Sequence, residues 1–279
     1  MLGKLLKYDN REMGIPVLLF SLISVAAGFL GGWLARFLGM LNEKGLEGIM
    51  QIIISIPMML TISVCFAAIF AAVIIALVII LRRYYKNLFS DEGYLTFTLP
   101  VEPRQLLFSK TLLGYFLLLI ATIASCLGFI VFLGTVSAKD TFFDFTFTRD
   151  ILSSLGYSYT TLTKTPIAVA VIEIVLSVLV ALARTLLSMY LAITVGAIVA
   201  KKHKILAAIG IYVLINMAAS VISNIFSVII MRTTFIDIME NDYLIIVHGS
   251  TIFQIILNLA IAVVCYLINR YLLTKKVNI

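Results

Sequence analysis

"GIMQIIISIPMMLTISVCFAAIFAAVIIALVIIL", Gly48 to Leu81, runs for 34 residues without a charged side chain. A helix needs about 20 apolar residues to cross a hydrocarbon core of about 30 Å. At about 1.5 Å per residue this run makes roughly 51 Å of helix, so it crosses a bilayer and then either tilts strongly or protrudes. Pro57 permits a kink. "LRRYYKNLF", Leu81 to Phe89, is suited to carry the helix onward into the cytoplasm, with Arg82, Arg83 and Lys86 marking the lipid boundary.

The rest of the chain reads the same way. Of its 279 residues 62% are hydrophobic and 13% charged, and the mean hydropathy of +1.12 lies well outside the range of soluble domains. Six spans are expected, approximately 15–40, 51–81, 111–136, 167–200, 205–231 and 250–268. The runs are uninterrupted rather than alternating in polarity, which favours helices over a barrel. The fold expected is therefore an all-α integral membrane protein, one membrane domain over residues 1–279. Before the first span, Leu2, Leu5 and Leu6 alternate with Lys4 and Lys7, the pattern of a short helix lying in the membrane interface. The first apolar run is too long for a signal peptide and lacks a small-residue cleavage site, so it is expected to stay as an anchor.

With the N-terminus placed in the cytoplasm, 14 of the 21 basic residues fall on inner segments and six on outer ones, with Arg184 inside a span. This bias predicts cytoplasmic termini. It also accounts for the net charge of +7, which anionic lipid attracts at the inner boundary, and leaves no reason to expect nucleic acid as a partner. Cys65, Cys126 and Cys265 fall inside spans without CxxC spacing and read as small buried hydrophobes. Neither His203 nor His248 has a carboxylate or second histidine at ligand spacing, so no metal site is expected.

The connections are unequal. "KKHK", Lys201 to Lys204, forces a tight hairpin between spans four and five. On the outer side, "TFFDFTFTRD" from Thr141 fits either a half-buried strand or an interfacial aromatic belt, and "FIDIMENDYLIIV" from Phe235 suits a helix on the outer leaflet. The inner connection "FSDEGYLTFTLPVEPRQLLFSK", Phe89 to Lys110, is the most unusual. Ser90 is a candidate N-cap and Asp91 and Glu92 suit the first turn of a short helix. Pro100 disfavours helix at Leu99, and Pro103 fits the first turn of span three. Leu88, Phe89, Tyr94, Leu95, Phe97 and Leu99 make an apolar set that reads either as a docking surface or as a rest on lipid headgroups.

"LFSDEGYLTFTLPVEPRQLLFSKTL" resembles the cytoplasmic loop of bacterial ABC transporter permeases of the second export class, the small six-span permeases of Gram-positive bacteria. "LLKYDNREMG" resembles their interfacial N-terminal helix and "VGAIVAKKHK" their small-residue ending to span four. The resemblance implies a coupling helix between spans two and three that seats in a separate ATPase, with Asp91, Glu92, Gly93, Tyr94, Leu95, Phe97, Leu99 and Pro100 at the contact. It further implies a multi-pass subunit of a bacterial cell membrane that pairs with a second permease, identical or related, above two ATPase copies. ATP and Mg would then be bound by the ATPase, none by this chain. An apolar bundle of this sort is compatible with a hydrophobic or amphipathic cargo, peptide, lipid or drug, and the resemblance does not choose among them.

Enzymatic motifs are absent from the sequence. It has no glycine-rich loop ending in Gly-Lys-Ser/Thr, no His-Glu-x-x-His and no Glu-Glu pair, so no catalytic residue is expected on this chain. The intramembrane charges are Glu173 and Arg184, 11 residues apart and so on nearly one helix face, about 16 Å apart along the axis. Both are candidates for a translocation route or a subunit interface. Asn216, Ser220, Ser223 and Asn224 recur at helical spacing along span five, facing either a substrate path or another helix. Gly28 and Gly32, with Gly31 between them, permit a close helix contact, within the chain or between copies. The rival readings are an ATP-independent secondary transporter, which would need intramembrane ion-coupling residues, and a membrane scaffold or sensor.

Overall fold

The computed structural model describes residues 2–43, 49–89, 103–137, 149–150, 152–154, 156–157, 160, 166–200, 202–237 and 243–275. Its six long helices are α1 (Leu2–Glu43), α2 (Ile49–Phe89), α3 (Pro103–Ser137), α4 (Ile167–Val199), α5 (Lys204–Asp237) and α6 (Tyr243–Lys275). Each contains a stretch long and apolar enough to cross a membrane, which makes this a multi-pass membrane protein by length and composition.

All of the helices but α4 outrun the spans expected from hydropathy, because a backbone leaving lipid keeps its internal hydrogen bonds until something stops it. α2 does continue through "LRRYYKNLF" to Phe89, and α3 does begin at Pro103. The N-terminal residues differ from expectation. They are not a separate interfacial helix but the first turns of α1, which runs unbroken through Pro16. Among the described residues, "TFFDFTFTRD" is seen only at Arg149 and Asp150, which are helical, as are the turns at 152–154 and 156–157. Of the segment read as an outer-leaflet helix, Phe235 to Asp237 belong to α5 and Tyr243 onward to α6, and residues 238–242 lie outside the described residues. The "KKHK" turn is as tight as expected. α4 stops at Ala200, whose extended backbone (φ −105°, ψ 118°) still donates to Gly196 O, and Ala207 N donates to His203 O in the first turn of α5.

Packing divides the chain into two compact units. The first comprises Met1–Tyr8, Leu81–Tyr115 and Gly156–Ile279, and so contains α4, α5 and α6 whole. The second comprises Asp9–Ile80 and Phe116–Leu155. In this second unit α1 and α3 meet backbone to backbone: a Cβ on Gly128 would stand 2.7 Å from Ser24 O, and one on Gly28 would strike the Gly128 carbonyl. Gly32 is closed off in the same way by Thr135. The small-residue stripe of span one is therefore used inside the chain. α2 joins through Ser125 Oγ, which donates to Ile69 O at 2.7 Å, and through Phe66, whose ring meets Phe129 and Phe132 edge-on at 6.0 and 5.9 Å.

Candidate functional site

Three polar layers join α4 to α6 in the first unit, and α5 enters the middle layer and α2 the third. α4 and α6 run parallel, since their paired residues keep a nearly constant offset: Glu173 with His248, Arg184 with Asn258 and Thr194 with Asn269, separated by 75, 74 and 75 positions. Successive layers are 10 or 11 residues apart on each helix. Three turns take about 10.8 residues, so the same two faces meet again and again, about 16 Å apart.

In the first layer Glu173 Oε1 lies 2.7 Å from His248 Nδ1, and Thr251 donates to Glu173 Oε2 at 3.2 Å. The sequence offered no partner for His248, because the carboxylate comes from another helix. No group of three or more metal-ligating side chains occurs among the described residues. One turn further, Gln254 Nε2 donates to Ser223 Oγ at 2.8 Å, and Phe226 stacks on Phe253.

In the middle layer Arg184 donates to Asn258 Oδ1 at 2.6 Å and to Asn216 Oδ1 at 3.0 Å. Asn216 in turn donates its amide to Tyr212 O of its own helix, which fixes the orientation of its oxygen toward the guanidinium. Of the four polar residues expected on a route or interface, Arg184 and Asn216 are brought together. Glu173 stands one layer away, and Ser220 is exposed and bonded to Met217 O. Below this layer lies an apolar plug of Leu187, Leu191, Ala262 and Cys265. Cys265 is buried as expected, whereas Cys65 is half-buried and Cys126 exposed, since the α2 and α3 faces that carry them are not fully covered.

The third layer is at the basic end, where α2, α4 and α6 finish near Lys86, Lys202 and Arg270. Tyr84, Thr194 and Asn269 are buried completely or nearly so. Their distances close a ring: Tyr84 OH and Thr194 Oγ1 lie 3.0 Å apart, Thr194 Oγ1 donates to Asn269 Oδ1 (2.8 Å) and Asn269 Nδ2 to Tyr84 OH (3.1 Å). Every polar atom of the three side chains thereby has a partner, which is how polar groups are accommodated in a dry interior. Tyr84 also stacks on Tyr190 with centroids 3.9 Å apart. Leu88, expected on an exposed apolar set, is instead fully buried, because the last turns of α2 pack into this unit.

The docking residues expected between α2 and α3, Asp91, Glu92, Gly93, Tyr94, Leu95, Phe97, Leu99 and Pro100, lie outside the described residues. Asn258, Asn269 and Gln254 were missed as site residues. Their signal was the helical spacing of His248, Thr251, Gln254, Asn258 and Asn269 along α6, which puts a polar stripe on one face. No protein-family model, curated protein or solved structure matches the chain.

Proposed function

We propose that this protein is the membrane subunit of an ATP-driven exporter of hydrophobic or amphipathic molecules, powered by a separate ATPase that docks on the connection between α2 and α3. The observation that carries the reading is how the two flanks of that connection are anchored. Leu81 to Phe89 and Pro103 to Tyr115 belong to the unit that holds α4, α5 and α6. Tyr84 is bonded to Thr194 and Asn269, Tyr190 OH reaches Lys110 O at 3.4 Å, and Tyr115 OH donates to Leu179 O at 3.1 Å. A displacement of the connection would be passed to the polar-layered helices through these bonds. Coupling then requires only that the ATPase contact the connection differently in its two nucleotide states. In this reading both termini are cytoplasmic, two membrane subunits share the path, and ATP and Mg stay on the partner.

The test is to extract the tagged chain from its native membrane in mild detergent and identify co-eluting proteins, comparing wild type with Tyr94→Asp. An ATPase retained by wild type and lost in the variant is the expected result. Its absence from wild type, even with crosslinker and an ATP analogue, would move a second reading to the front. The Glu173–His248 pair favours that reading, a proton-coupled secondary transporter, because it supplies an acid and a base inside the helix bundle.

A further inference from the structure

Arg184 has an unusual set of partners for a cation in a membrane. Arg184, Asn216 and Asn258 each stand within about three residues of the middle of their spans, 167–199, 204–229 and 248–274. Ionised side chains at that depth pair with opposite charge or with backbone carbonyls, or face a wet cavity. Here both partners are amide oxygens, at 2.6 and 3.0 Å. They accept hydrogen bonds but cancel no charge. A guanidinium has five N–H donors in a planar fork, so three stay uncommitted to described residues. Among the described residues of these three spans the one carboxylate is Glu173, about 16 Å along the same helix and already held by His248 and Thr251. All three residues of the cluster are half-buried, so the guanidinium is reachable from the surface of its unit.

We propose that Arg184, oriented by Asn216 and Asn258, binds the anionic headgroup, carboxylate or phosphate, of an amphipathic molecule inside the membrane. The two asparagines each engage one terminal nitrogen of the fork, Nη1 and Nη2, and hold it still, which leaves the remaining donors for the bidentate geometry that a carboxylate or phosphate offers. The surrounding apolar helix surface, with Leu214, Met217 and Leu259 exposed, suits the ligand's hydrocarbon tail. This names a ligand class for the exporter reading. It rests on that reading only for the ligand being cargo, and the binding measurement needs no ATPase, so the two fail separately.

The test uses the full-length protein in a maltoside detergent and follows thermal unfolding with decyl phosphate, decanol, decyltrimethylammonium or dioleoyl phosphatidylglycerol added. The expected result is saturable stabilisation by an anionic amphiphile and none by decanol or the cation, with affinity at least about tenfold weaker in Arg184→Gln. Stabilisation by decyl phosphate alone assigns the site to a diffusing amphiphile, and by phosphatidylglycerol alone to a bilayer lipid. Both outcomes carry the proposal. Asn258→Asp guards against a variant that merely fails to fold, since it puts a carboxylate beside the guanidinium. It is expected to raise the unliganded midpoint and to abolish the anion response. Anions that stabilise Asn258→Asp as they do wild type, or that fail to stabilise wild type, would overturn the proposal.

Discussion

The two units solve one problem in opposite ways. Between helices surrounded by lipid tails the hydrophobic effect gives little drive to associate, so close packing and polar bonds must supply it. The unit built on Asp9–Ile80 and Phe116–Leu155 uses close packing: Gly28, Gly32 and Gly128 let two backbones touch, and Phe66 and Phe70 of α2 meet the rings of Phe129 and Phe132 of α3. The unit containing α4, α5 and α6 uses polar brackets at three depths, with an apolar plug between two of them. A contact of backbones tolerates no added atom. A bracket tolerates isosteric change but not the loss of a partner. The second unit is thus a rigid seam, and the first keeps charge and hydrogen-bonding capacity inside the bundle.

This contrast breaks most heavily at the seam. Gly28→Leu should destabilise the second unit by about 3 kcal/mol, because the Gly128 carbonyl is backbone and cannot step aside. In a Cys126→Ser background, maleimide labelling of half-buried Cys65 should rise while that of buried Cys265 stays slow. Equal acceleration at both thiols would mean that the units do not hold independently. Removing one hydroxyl from the ring has a smaller effect in the other direction. Tyr84→Phe leaves Asn269 and Thr194 each short of a partner, at a cost of about 2 kcal/mol, and should expose Cys265 before Cys65. An unchanged midpoint in denaturant titration would show that the ring does not bracket α2 to α4 and α6. The mildest change is Ser223→Ala, which deletes one exposed bond to Gln254 and should shift the midpoint by about 0.6 kcal/mol or less. A larger loss would make that bond part of the bracket system rather than an accessory to it.

The architecture was largely legible from hydropathy. Hydrocarbon thickness sets a length that any apolar run either meets or misses, and the run from Gly48 to Leu81 met it with residues to spare. The extension of α2 to Phe89, the start of α3 at Pro103 and the hairpin at Lys201 to Lys204 followed from local signals in the same way. The ends of α1, α5 and α6 did not, because hydropathy reports where lipid is crossed and not where backbone hydrogen bonding stops. For the site, the 11-residue spacing of Glu173 and Arg184 correctly placed two charges on one face at different depths. It gave no hint that a histidine would meet the first and two asparagines the second.

What the sequence determined by itself is therefore the set of spans and the depth of each polar side chain, since both depend only on composition and on a rise of about 1.5 Å per residue. What the tertiary structure decided is partnership. Leu88 turned inward because the end of α2 packs with α4 and α6, and Gly28 met Gly128 because α1 lies against α3. His248, Asn258 and Asn269 found Glu173, Arg184 and Thr194 because α4 and α6 are parallel neighbours at a fixed offset. Which helices become neighbours depends on packing and hydrogen bonding among all of them, and no local run of residues carries that information.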